Sequence, residues 1–187
     1  RMPIVIGAKP ESSFADPIGL LTDCHRRIER FLSVLVQVSA QARGGQLTSE
    51  QRTALEKSLV YFREAAPKHT ADEEQTLFPR LRSLDRPAVK AVLSRVDALE
   101  IQHGEAEQNH AEVDRLGRAW LADGSLAPAD ATRLSTVVAE LLDLYRGHIA
   151  IEEGEVFPVA AAELGQSERE AMGGEMAARR GLLAIQS

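Results

Sequence analysis

The sequence predicts an all-α protein, namely an antiparallel up-down-up-down four-helix bundle with a short C-terminal fifth helix. Two observations support this fold class: apolar residues recur at helical spacing in four long segments, and no segment alternates as a strand would. The composition agrees, because aromatic residues make up only 4% of the 187 residues while good helix formers are plentiful. Short connections between long helices favour antiparallel neighbours.

Start and stop signals define the helices. Asp16 caps the first helix with Pro17 at its first position, and Thr48 with Gln51 forms a capping box for the second. Pro67 is expected to kink the second helix without ending it, because the apolar stripe continues beyond it. The predicted helices span roughly 17–43, 49–83, 87–122 and 128–163, followed by a short helix capped by Ser167 and Glu170.

The chain is expected to form one domain. Residues 1–15 lack helical periodicity and are interpreted as an irregular arm, and 16–187 as the bundle domain. The net charge of −6 and the pI of about 5.4 argue against nucleic-acid or anionic-membrane partners. No apolar run reaches membrane-span length, and no secretory leader is recognisable. The single Cys24 is expected to be a buried, inert thiol, and a chain without a disulfide is typical of the reducing cytoplasm. The sequence leaves a homodimer as one possible oligomeric state.

Histidine spacing is the main functional signal. Residues four apart on a helix share a face, so a His-x-x-x-Glu pair can present a nitrogen and an oxygen to one metal ion. Bundle cores are where such sites are built. Three of the five histidines stand in this frame: His69 with Glu73, His103 with Glu107, and His148 with Glu152.

Distances from the connecting loops indicate which histidines share a layer. In an antiparallel bundle, ligands at one height lie at matching distances from their shared loop. His25, His69, His103 and His148 satisfy this condition. His110 lies two turns beyond His103 and is interpreted as a residue outside the ligand layer, with a ligand role as the alternative.

The predicted ligands are four imidazoles and three carboxylates: His25, His69, Glu73, His103, Glu107, His148 and Glu152. Seven ligands are too many for one ion. Two six-coordinate ions with two bridging carboxylates and an oxo or hydroxo bridge would use them and leave one position open. Mixed nitrogen and oxygen ligation without thiolate suits iron, or manganese as an alternative, better than zinc.

Three segments carry a family resemblance. The runs 23–28, 69–79 and 148–158, with a doubled His-x-x-x-Glu-Glu and a following Phe-Pro, resemble the hemerythrin-like (HHE cation-binding) family over about 16–163. The resemblance implies a four-helix bundle holding a non-haem di-iron centre with bridging motif carboxylates. Members of that family bind dioxygen reversibly, sense oxygen or iron, handle nitric oxide, or decompose peroxide.

One position departs from the oxygen carriers of that family. They present two histidines one turn apart on the third helix, whereas Glu107 follows His103 here, which resembles a bacterial branch associated with peroxide and nitric-oxide chemistry. A third carboxylate would favour the ferric state over reversible oxygen carriage. The sequence therefore favours an enzyme that consumes hydrogen peroxide, dioxygen or nitric oxide, with an oxygen or iron sensor or store as the alternative. A metal-free structural bundle is the third hypothesis.

Two tyrosines are candidate catalytic residues. Tyr145 lies three residues before His148, and Tyr61 lies eight before His69. Either could hydrogen-bond a small molecule at the metals or carry a radical. The alternative is a core tyrosine with its hydroxyl satisfied.

Overall fold

The computed structural model describes residues 11–182, which are helical apart from short connections. The α-helices are α1 (Pro17–Ala42), α2 (Ser49–Val60), α3 (Ala66–Asp72), α4 (Phe78–Ser83), α5 (Pro87–Lys90), α6 (Leu93–Asp123), α7 (Pro128–Ile151), α8 (Phe157–Glu163) and α9 (Gln166–Arg179). The prediction of an all-α fold is confirmed.

Four long helical runs form the bundle. They are α1, the run from α2 to α4, α6, and the run from α7 to α8. Helix α1 packs against both α2 and α7, and α6 packs against α7, so neighbours along the chain lie side by side in opposite directions. The antiparallel bundle predicted from the sequence is therefore confirmed.

Three π-turns interrupt the long runs, and each precedes a proline. The turns are Tyr61–Ala65, Glu73–Leu77 and Glu152–Val156. Pro67, Pro79 and Pro158 occupy the second position of the α-helical segment that follows. A proline has no N–H and its ring clashes with the carbonyl four residues back, so a locally wider turn lets the helix continue. The expectation that Pro67 would not end the second helix is correct.

Two apolar clusters lie above and below a polar layer. On α1, Leu21 belongs to one cluster and Ile28 to the other, with His25 between them. On α6, Leu99 and Ala106 flank His103 in the same way. Packing on both sides fixes the position of these histidines along the bundle axis, so the side chains of the polar layer are held by a rigid core.

Two helix starts differ from the predictions. The third long helix was expected near residue 87, but the short α5 is followed by a break, and α6 begins at Leu93. The Ser167 cap predicted for the fifth helix is wrong, because α9 begins at Gln166 and the Glu168 carboxylate accepts a hydrogen bond from the Gly165 N–H, 3.3 Å. The N-cap residue is Gly165, two residues before the predicted Ser167.

Buried ion pairs attach α9 to the bundle. Asp72, fully buried, pairs with the guanidinium groups of Arg179 and Arg180. Glu175 accepts hydrogen bonds from Thr76 and Arg80. Since Asp72 directly precedes Glu73, α9 braces the segment that carries the ligand layer.

The predicted arm is only partly described. Residues 11–15 contain no helix or strand, whereas 1–10 lie outside the described residues, as do 183–187. Among the helices within 11–182, none combines the length and apolar character that crossing a membrane requires.

Candidate metal centre

Six of the seven predicted ligands meet in the polar layer. Their side chains form two overlapping groups in which the candidate ligand atoms lie within 4.8 Å of one another. Site 1 consists of His25, His69, Glu73 and Glu152, and site 2 consists of Glu73, His103, His148 and Glu152.

Site 1 joins α1, α3 and the starts of two π-turns. His25 Nε2 lies 2.9 Å from one Glu152 oxygen and 3.8 Å from one Glu73 oxygen. His69 Nε2 lies 3.1 Å from that same Glu73 oxygen. Two imidazole nitrogens and two carboxylate oxygens therefore face one point.

Site 2 joins α6, α7 and the same two carboxylates. His103 Nε2 lies 3.1 Å from the other Glu73 oxygen and 3.1 Å from His148 Nε2. His148 Nε2 lies 3.1 Å from the other Glu152 oxygen. Each carboxylate thus directs one oxygen to each site, which is how a carboxylate bridges two metal ions.

The unmatched polar atoms fit a pair of cations. Both oxygens of Glu73 and of Glu152, together with His25 Nε2, are buried without a hydrogen-bond partner among the described residues. Buried polar groups are normally satisfied, and leaving this many unpaired costs several kcal/mol. A metal ion at each site would satisfy them, so the donor set fits two bound cations.

Three of the four ligating histidines have their outer ring nitrogen held by an oxygen. His25 Nδ1 lies 2.8 Å from Glu153, and His103 Nδ1 lies 2.8 Å from Glu74. From the sequence, these two glutamates are expected to be solvated charges, with a hydrogen bond to a histidine as the alternative; the second Glu of each Glu-Glu pair was the available signal. Such contacts fix ring orientation and raise ligand basicity.

The third contact of this kind reaches across the layer between neighbouring helices. His148 Nδ1 lies 2.9 Å from the amide oxygen of Gln102, the residue that precedes His103. A single glutamine next to a histidine carries no distinctive spacing. The sequence therefore carries no signal for this residue.

The phenylalanines of the repeated motif stack on the ligands of the other helices. Phe157 stacks on His25 at 5.4 Å between ring centroids, and Phe78 stacks on His103 at 6.2 Å. The segment around His148 therefore supports His25, and the segment around His69 supports His103. The two sites are related by an approximate twofold arrangement.

The charges of the layer are strongly coupled. Burial disfavours the charged imidazolium of His25, but the nearby carboxylates of Glu152 and Glu73 outweigh burial and raise its pKa to about 9. Burial likewise opposes ionisation of Glu73, yet the surrounding histidines hold its pKa well below the usual range. In this layer His25 therefore favours its protonated, positively charged form, and Glu73 favours its ionised, negatively charged form.

Glu107 is not brought into either site. It is exposed on α6 and lines a neighbouring cavity. Its carboxylate is absent from both groups of candidate ligand atoms that lie within 4.8 Å of one another. The structure therefore brings together six of the seven predicted ligands, and the ligand role of Glu107 stays a prediction.

A cavity of about 410 Å³ reaches site 2. Glu74, His103, Glu107, His110 and Tyr145 contribute to its wall. Within it, His110 Nε2 and the Tyr145 hydroxyl are hydrogen-bonded at 3.0 Å. Burial lowers the pKa of His110 to about 4 and raises that of Tyr145, so both are neutral near pH 7. His110 lies outside both sites, in agreement with its interpretation from the sequence.

Tyr61 lines a different cavity from Tyr145. It stacks on Phe31 with ring centroids 4.3 Å apart, and its cavity, of about 450 Å³, reaches His69. Burial raises the pKa of Tyr61 to about 12. Cys24, buried as expected, lines the same cavity.

Fold and site together define an all-α bundle with a buried histidine and carboxylate centre suited to cations. The hemerythrin HHE cation-binding domain matches residues 16–160, and the chain belongs to that family. It is also similar to an uncharacterized protein of Haemophilus influenzae, at 28% identity over 169 residues that cover 90% of this chain and 92% of that protein. The family resemblance inferred from the sequence is confirmed.

Proposed function

We propose that the protein is a non-haem di-iron enzyme that consumes a small oxidant, hydrogen peroxide first among them, with dioxygen and nitric oxide as further substrates. The observation that carries the proposal is a pair of sites that share both carboxylates, Glu73 and Glu152, with a cavity that reaches His103 at site 2. A buried, paired centre that small molecules can approach through a cavity at site 2 suits redox turnover better than storage.

The donor set supports iron. Each site offers two imidazoles and two carboxylate oxygens and no thiolate, which suits iron or manganese. Six-coordinate ions would keep positions free for exogenous molecules. When bound, a pair of iron ions supplies the two electron equivalents that peroxide or dioxygen conversion requires.

The residues of the cavity would bind the substrate and control its protons. His110 and Tyr145 form a neutral hydrogen-bonded pair beside site 2. The Tyr145 hydroxyl can donate a hydrogen bond to a small molecule in the cavity, while His110 orients it. Phe62 stacks on His110 with centroids 4.5 Å apart and keeps the imidazole in place. General acid groups positioned in this way typically contribute about 10²-fold or more to rate.

The two tyrosines provide a matched test. Iron-loaded wild type is expected to contain two irons per chain and to release oxygen from hydrogen peroxide. Tyr145→Phe should keep both irons and lose about tenfold or more of that rate, because its hydroxyl lines the cavity at site 2. Tyr61→Phe should stay near wild type, because Tyr61 lines the other cavity.

Two results would contradict the proposal. A wild-type protein with two irons that consumes neither peroxide nor nitric oxide favours the sensor or storage function. Equal losses in the two tyrosine variants would remove the cavity at site 2 from the reaction.

A further inference from the structure

The wall of the cavity at site 2 is acidic. Among the described residues that form it, three are carboxylates, Glu74, Glu100 and Glu107, and none is a lysine or an arginine. The Glu74 carboxylate lies next to the centre, because one of its oxygens is 2.8 Å from His103 Nδ1. Glu107 is exposed and lines the cavity, which places it where the cavity meets solvent. A molecule that enters therefore passes negative charge on its way to the ligand layer.

The arginines beside this wall have carboxylate partners of their own. Arg82 pairs with Glu100 at 2.8 Å, so the charge of Glu100 is compensated. Arg63 lines an adjoining cavity together with Glu107, but it pairs with Asp114 at 3.1 Å. Within residues 11–182, Glu107 has no ion-pair partner, and its charge therefore acts on the cavity.

The interior of the cavity offers no compensating cation. His110 and Tyr145 are hydrogen-bonded to each other and are uncharged near pH 7. The volume of about 410 Å³ is many times that of a small molecule, since one water occupies about 30 Å³. Size therefore does not separate hydrogen peroxide from a small anion, whereas charge does.

Small anions would compete for the loaded centre. Two divalent or trivalent metal ions carry more charge than the two shared carboxylates, Glu73 and Glu152, so the loaded centre would be positive. A positive centre that a cavity connects to solvent attracts small anions. The acidic wall opposes this attraction and has little effect on uncharged molecules, because a fixed charge acts far more strongly on an ion than on a neutral molecule.

We infer that the acidic wall makes the cavity at site 2 selective for uncharged small molecules over small anions, with Glu107 as a specificity-determining residue. The inference rests on the proposed function and narrows its substrate class. Hydrogen peroxide, dioxygen and nitric oxide are uncharged near neutral pH, whereas azide and nitrite are anions.

The test compares an anion with an uncharged ligand on protein that contains two irons per chain. Optical titration gives the dissociation constants of azide for the oxidised form and of nitric oxide for the reduced form. Glu107→Gln should bind azide about threefold more tightly than wild type, and Glu107→Lys about tenfold, because they remove one and two units of negative charge. Nitric oxide affinity should stay within about twofold in every variant.

Glu29 provides the matched control. It follows His25 by four residues, as Glu107 follows His103, but its carboxylate pairs with Arg26 at 3.1 Å and is not part of the wall. Glu29→Gln and Glu29→Lys make the same changes in net charge and should leave azide affinity within about twofold of wild type. The difference between wild type and Glu107→Lys should narrow as ionic strength rises, because salt screens exposed charges.

Equal azide affinities in wild type and Glu107→Lys overturn the inference, as do equal effects of the Glu107 and Glu29 substitutions, which would show that net charge alone matters. Loss of one iron from Glu107→Gln also overturns it, because the carboxylate would then be a ligand. A wild type that binds no iron contradicts the proposed function and this inference together. A wild type with two irons that consumes neither peroxide nor nitric oxide contradicts the proposed function alone, since azide binding still measures the selectivity.

Discussion

Sites 1 and 2 are built from the same parts in different surroundings. Each has one histidine from a continuous helix, His25 or His103, and one from a motif that ends in a π-turn. Each continuous-helix histidine is held by a glutamate and a stacked phenylalanine from a motif segment. The ligand geometry alone therefore does not distinguish the two sites.

The surroundings beyond the ligands differ in charge. Arg27, Lys68 and Arg180 line the cavity beside site 1 together with Glu64, and Arg180 is paired with Asp72. Carboxylates, including those of Glu74 and Glu107, line the cavity beside site 2. Negative charge stabilises the more oxidised ion and positive charge the more reduced one. The comparison predicts that metal ions bound by these similar ligand sets would differ in reduction potential.

Loss of a shared carboxylate should have the largest effect, because it breaks both sites at once. Glu152→Ala removes one oxygen from each group and should raise both metal dissociation constants by more than about 100-fold. Metal analysis after gel filtration should find close to none. Retention of one firmly bound ion would show that this carboxylate serves a single site.

Removal of one unshared histidine should separate the sites. His103→Ala leaves the four donors of site 1 intact, and His25→Ala leaves those of site 2. Each variant should bind one ion per chain, and the ion remaining in His103→Ala should have the higher reduction potential. Anaerobic redox titration measures this difference. Equal potentials would mean that the charges of the two cavities do not reach the metals.

The pH dependence of metal binding should sharpen the description of site 1. Because the pKa of His25 is about 9, an entering cation displaces a proton from it at any pH below that value. Apparent affinity in His103→Ala should therefore rise about tenfold per pH unit for each displaced proton between pH 6 and 8. Chelator competition at several pH values measures the slope, and a flat profile would contradict the assignment of His25 as a ligand.

Much of the fold and centre could be predicted because both depend on spacing along helices. Apolar periodicity located the bundle helices, and His-x-x-x-Glu spacing located Glu73 and Glu152. The same spacing also predicted Glu107, which the structure leaves outside both sites. The available signal was the Phe-Pro that follows Glu73 and Glu152 and is missing after Glu107.

The smallest effect is expected from substitution of Glu107, which tests whether this carboxylate lies outside both sites. Glu29 is its counterpart, four residues after His25, and pairs with Arg26 at the surface. Glu107→Gln and Glu29→Gln should both keep two metals, with affinities within about twofold of wild type, because neither carboxylate belongs to a site. Only Glu107→Gln should change peroxide turnover, by a few-fold, because Glu107 lines the cavity at site 2. Loss of one metal from Glu107→Gln alone would show that this carboxylate becomes a ligand when the centre is loaded, which would restore the third carboxylate that its spacing from His103 suggests.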